Sequence, residues 1–141
     1  MKHIPTVSRN KARIMRLLIE QGANVKAQDK TRSTPLHMAS YTGIPDLVQL
    51  LIEHGADTNG RNRSQSTPLH LASSRVSAKI TFLFFHPRTD VNVQEVWPKY
   101  HTPHPVDTVS IAETMSLLID HGADMTAQNE THSTPLHLAA F

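Results

Sequence analysis

The chain has 141 residues, 38% of them hydrophobic, and a formal charge of +2 with histidine neutral. This is one domain's length, and a mean hydropathy of −0.34 fits a folded chain and not a disordered one. So small a charge gives no basis for a nucleic-acid face, and the lack of cysteine excludes disulfides, thiol nucleophiles and cysteine–zinc sites within the chain. No run approaches the roughly 18 apolar residues of a membrane span. The start, Met1-Lys2-His3-Ile4-Pro5-Thr6, has no apolar signal-peptide core. An intracellular setting, cytoplasm or nucleus, is the expectation.

In chain order, residues 1–33 read as a partial unit. Ile14, Met15, Leu17 and Leu18 fall at helical spacing between Lys11, Arg13, Arg16 and Glu20. Gly22 then stops the helix as a left-handed cap. Residues 34–66 form the cleanest unit. A first helix is predicted from Thr34 to Tyr41, a turn at Gly43 and Pro45, and a second helix capped by Asp46 and ended by Gly55. A polar connection with the turn signal Asn59-Gly60 follows.

Residues 67–101 repeat this plan in degenerate form. Phe82-Leu83-Phe84-Phe85 stands where Gln49-Leu50-Leu51-Ile52 stood, and the following connection carries Trp97, Pro98 and Tyr100. Residues 102–133 are read as another degenerate unit. It opens on Thr102-Pro103-His104-Pro105, whose Pro105 does not suit a helix interior, and recovers at Leu117-Leu118 and Gly122. Residues 134–141 begin a last, partial unit. The chain reads as cut from a longer array at both ends.

The units share one pentapeptide. Ser33-Thr34-Pro35-Leu36-His37 returns as Ser66-Thr67-Pro68-Leu69-His70 and as Ser133-Thr134-Pro135-Leu136-His137. Thr34 and Thr67 are 33 residues apart, and Thr67 and Thr134 are 67 apart. Such a period signals an array. Each residue has a local reason: Thr accepts a first-turn N–H as N-cap, Pro suits the first helical position, Leu faces the core, and His can bond through both ring nitrogens.

These residues resemble the ankyrin repeat, whose unit of about 33 residues carries Thr-Pro-Leu-His near its start and Gly-Ala-Asp after its second helix. The second signature stands at Gly22-Ala23-Asn24, Gly55-Ala56-Asp57 and Gly122-Ala123-Asp124. The resemblance implies an all-α solenoid of stacked helix–turn–helix units joined by hairpin-like loops. It further implies a protein-binding concave face of loop tips and first helices, and no catalytic residues. The hairpin glycine of the family is replaced by Arg32, Gln65 and His132, so looser or differently shaped loops are expected.

The bases Lys30, Arg32, Arg61, Arg63 and Arg75, with Tyr41 and Thr42, fall at positions that would point to the concave face; they read either as solvated tips that keep the chain in solution or as a stripe meeting a partner with an acidic surface. Trp97 and Tyr100 are further partner-binding candidates, the alternative being that they fold back over Phe82 and Phe84. His37, His70 and His137 occupy one place in successive units, so they read as fasteners and not as metal ligands. Asn62-Arg63-Ser64 and Asn129-Glu130-Thr131 match the glycosylation pattern but read as turn residues. No nucleophile elbow or phosphate-cradling loop is present. The expectation is a non-catalytic interaction scaffold with no cofactor, metal, nucleic acid, membrane or small-molecule substrate. Two other readings are the targeting segment of a larger enzyme or receptor, and a truncated, decayed gene product.

Overall fold

A computed structural model describes residues 6–75 and 108–140, with side chains from residues 9 and 109 onward. The expectations placed on Phe82–Phe85, on Trp97 and Tyr100, and on the broken pentapeptide at 102–106 lie outside the described residues. Within them, all regular secondary structure is helical: α1 (Thr6–Glu20), α2 (Pro35–Thr42), α3 (Pro45–Glu53), α4 (residues 68–75), α5 (Thr108–Asp120) and α6 (Pro135–Ala140).

α2 and α3 make a helix pair. Thr34 caps α2 with its hydroxyl on the His37 N–H, and Pro35 takes the first helical position. Gly43 ends α2 at φ 70°, a left-handed turn that a Cβ would strain. A Cβ there would also lie 3.0 Å from Ile111 Cγ1 of α5, so glycine serves both the turn and the close approach. α3 begins two residues earlier than expected, and its N-cap is Ile44, with no side-chain cap bond. Asp46, the predicted cap, lies inside the first turn, where its charge still favours the helix's positive end. Pro45 explains the shift: its fixed φ and missing N–H make it a good first helical residue.

α3 is the hub. It packs against α2 of its own unit, α1 before it and α5 after it. The core runs through Leu36, Leu47, Val48, Leu51, Leu69, Ala72 and Leu118. Burial depends on having neighbours on both sides. Leu51 is 1% exposed, while Leu18, at the same place in the first unit, is 55% exposed. Leu36 and Leu69 are buried, while their counterpart Leu136 is 76% exposed. Burying a leucine side chain contributes roughly 1.5–3 kcal/mol, so the inner unit is the most strongly held part of the stack.

The second helices end alike. Ala23, Ala56 and Ala123 each donate their N–H to the carbonyl five residues back, of Leu18, Leu51 and Leu118. This is the Schellman closure that a left-handed glycine permits.

Candidate functional site

Each described connection between units is a loop, here termed a finger. In the three fingers, Asp29, Asn62 and Asn129 donate their N–H to the carbonyls of Ser33, Ser66 and Ser133. Their side-chain oxygens accept in return. Asp29 Oδ1 takes the N–H groups of Thr31 and Ser33 at 2.8 and 3.0 Å. Asn62 Oδ1 takes those of Ser64 and Ser66 at 2.9 and 3.0 Å. Asn129 Oδ1 takes those of Thr131 and Ser133. A short side-chain acceptor folding back on its own backbone is what makes Asp and Asn turn residues. The Thr31 hydroxyl, first, and the loop N–H groups hold the Asp29 carboxyl below its ordinary range.

Arg32, Gln65 and His132 all sit at φ 63°. The expectation of looser or differently shaped loops is corrected here. The left-handed position is kept without glycine, at a strain of roughly 1–2 kcal/mol each, because the Asx bonds on either side fix the loop.

The fingers are tied side by side through their backbones. Arg63 donates its N–H to Thr31 O at 2.8 Å, and Glu130 donates its N–H to Ser64 O at 2.9 Å. Arg61 Nη1 bonds both Gln65 O (3.1 Å) and Gln128 O (2.8 Å), bracing the second finger on the third. Asn59 reads the next loop with both ends of its amide: Nδ2 donates to Gly122 O, and Oδ1 accepts from the Asp124 N–H. Asp124 also accepts from Thr126, which holds its carboxyl low.

Beneath the fingers sit the histidines. His37 Nδ1 accepts from the Thr34 N–H at 3.1 Å, so the ring's proton lies on Nε2, 3.0 Å from Ser66 O. His70 does the same with the Thr67 N–H and with Ser133 O, the latter at 2.8 Å. Each buried ring thus caps its own helix and holds the next finger. Burial pushes both imidazoles below their ordinary value. For His37, Asp29 and Asp57 pull the other way, whereas for His70 the charge of Arg61 adds to the depression. His137 makes the same local bond to Thr134 but is exposed.

The sequence-predicted site residues separate into groups. Lys30, Arg32 and Arg63 are exposed on the first two fingers. Arg61 is exposed, but its guanidinium is engaged between fingers. Tyr41 and Thr42 are half-buried at the end of α2, with the Thr42 hydroxyl on Ala39 O. Arg75 is not on the open face: it is 4% exposed, with its guanidinium carbon 5.0 Å from the centre of the Tyr41 ring. A cation stacked on an aromatic face is a stabilising packing contact. Sequence position alone missed this, because Thr42 at the matching place carries no charge. Two residues went unnoticed. Met38 is 54% exposed on α2, with half-buried Leu71 and Leu138 at the same place in α4 and α6. Glu130 sits on the third finger where Lys30 and Arg63 sit on the first two. Equal offsets from the threonine of the pentapeptide would have found both.

Among the described residues, no group of three or more His, Asp or Glu could hold a metal ion, and no helix is long and apolar enough to cross a membrane. A family model described as ankyrin repeats, in three copies, matches residues 6–95. The match stops short of α5 and α6. No curated protein matches the chain significantly.

Proposed function

Because the chain belongs to the ankyrin-repeat family, whose repeats are generally protein–protein interaction modules, we propose that it is a non-catalytic scaffold binding another protein along its row of fingers. The observation that carries this is the division of labour among polar groups. The Asx oxygens are used within their own fingers and the histidines, Asn59 and Arg61 between them, while the side chains of Lys30, Arg32 and Arg63 stand exposed. A frame already rigid before contact loses little conformational freedom on binding, which is where preorganised surfaces gain affinity. Met38, exposed on α2, and the half-buried Leu71 and Leu138 at the matching places of α4 and α6 are apolar candidates for the same contact.

The bases of the first two fingers favour a partner whose contact surface is acidic there. Charge complementarity of this kind raises association rates and selects partners more than it adds affinity. The test is the triple variant Lys30→Glu, Arg32→Glu, Arg63→Glu, compared with the wild type by affinity capture and mass spectrometry at two salt concentrations. The expected result is loss of the salt-sensitive captured proteins with an unchanged thermal melt. An unchanged set of partners would remove the finger bases from the binding surface.

A further inference from the structure

The spacing of contacts between units is unequal. Between the first two described fingers, the histidine bond spans 29 residues (His37 to Ser66) and the finger bond 32 (Thr31 to Arg63). Between the next two, the same bonds span 63 residues (His70 to Ser133) and 66 (Ser64 to Glu130). Both differ by 34. The geometry of the two joints is nevertheless the same, with histidine bonds of 3.0 and 2.8 Å and finger bonds of 2.8 and 2.9 Å.

The helices agree with the fingers. α5 packs directly on α3, the seat of the next unit's second helix, just as α3 packs on α1. Residue by residue, α5 matches α3 at an offset of 67: Ile111 for Ile44, Leu118 for Leu51, His121 for His54, Gly122 for Gly55. His54 and His121 even make the same Nδ1 contact, to the carbonyls of Leu50 and Leu117 at 2.9 and 2.8 Å. The first helix α4 matches α2 at an offset of 33. Leu69 and Ala72 of α4 share one core cluster with Leu118.

We propose that residues 67–75 and 110–133 build a single repeat interrupted by 34 extra residues, 76–109, the last two of which lengthen the start of α5, so that the docking row runs Lys30, Arg63, Glu130 without a gap. The stretches read from sequence as two degenerate units, 67–101 and 102–133, are on this assignment one interrupted unit. The consequence for recognition rests on the binding role proposed above. A partner that sets acidic groups against Lys30 and Arg63 meets an acid at the next finger, so its matching surface is acidic along two fingers and basic at the third.

The stack order can be read with no partner present, so its test fails or succeeds independently of the binding reading. The chain has no cysteine, so paired substitutions in the full-length protein give unambiguous disulfides under mild oxidation. Thr31→Cys with Arg63→Cys reports the undisputed joint. Ser64→Cys with Glu130→Cys should close as readily. Ser64→Cys with Val96→Cys, one 33-residue step beyond Arg63, should stay open. Closure of the 64/96 pair in preference to the 64/130 pair would overturn the assignment. A second variant deletes 76–109 and carries Ser110→Gly, restoring the turn that Gly43 provides in the preceding unit. It should melt cooperatively within about 5 °C of the full chain, a shift equivalent to roughly 1 kcal/mol. Loss of the cooperative transition would also overturn it.

Discussion

At the scale of single residues, His37 and His70 each make one bond within their own unit and one to the next finger. His70→Ala removes both the ring's bond to the Thr67 N–H and its bond to Ser133 O, leaving buried polar groups unpaired. An unpaired buried group costs about 1–3 kcal/mol, and we expect a loss of about 2–3 kcal/mol in urea denaturation. His137→Ala, at an exposed copy, should lose less than about 1 kcal/mol. Equal losses would mean that the inter-unit bond contributes nothing.

The same rings set a pH dependence. Burial lowers the folded-state pKa of His37 and His70, while in the unfolded chain each titrates near 6.5. Below that value the unfolded chain binds more protons, so stability falls as pH falls. A proton added at Nδ1 would also face the Thr34 or Thr67 N–H. The melting temperature should therefore be flat above about pH 7.5 and drop progressively below 6.5. The slope should flatten in the His37→Gln, His70→Gln double variant. An unchanged slope there would assign the effect to other groups.

The finger tips store strain that glycine would relieve. At φ 63°, Gln65→Gly removes a Cβ penalty of roughly 1–2 kcal/mol and gives back about 0.4–1 kcal/mol in unfolded-chain entropy. A net gain of about 0.5–1 kcal/mol is expected from chemical denaturation. A destabilised variant would show that the Gln65 side chain holds the loop.

At the scale of elements, the helices were legible in the sequence because their signals are local. Thr-Pro marks a first-helix start, paired leucines mark a second helix, and glycine marks its end. The predicted Asp46 cap failed because Pro45 and Asp46 are both good helix-start residues, and the proline took the first helical position. The different shape expected of the glycine-free loops failed for a different reason. It weighed φ strain alone, without the Asx oxygens of Asp29, Asn62 and Asn129. Arg75 was misplaced because the ring it stacks on, Tyr41, lies in another unit.

One contact between elements far apart in sequence is sharp enough to test. Gly43 and Ile111 are in adjacent units and would be crowded if a Cβ were added. Gly43→Ala should destabilise by about 1–3 kcal/mol, from the left-handed φ and the crowding together. A double-mutant cycle with Ile111→Ala should give a coupling above about 0.5 kcal/mol, as residues in contact do. Additive losses would separate α2 from α5.

At the scale of the whole molecule, repetition makes both stability and surface. Each inner unit is held by neighbours on two sides, and the fingers inherit their parallel order from the stack beneath them. The period was plain in the sequence, and so was the family. The order of stacking was not. Thr67 and Thr134 are 67 residues apart, close to two steps of 33, so two worn units and one interrupted unit look alike by counting. Only contacts of known sequence separation distinguish them. Core truncations should follow the stack: Leu51→Ala and Leu118→Ala, both at fully buried positions, should each lose about 2–5 kcal/mol. Leu17→Ala, on the exposed face of α1, should lose less than about 1 kcal/mol.

The central claim is that one continuous stack, with α5 seated on α3, presents the three fingers as a row. Native-state hydrogen exchange of the full chain, followed by mass spectrometry, tests it most directly. The prediction is that the amides of Thr114 to Leu118 are protected to the same degree as those of Leu47 to Leu51, and open together with them as denaturant is added. Exchange of the α5 amides at unprotected rates, while those of α3 stay protected, would contradict it.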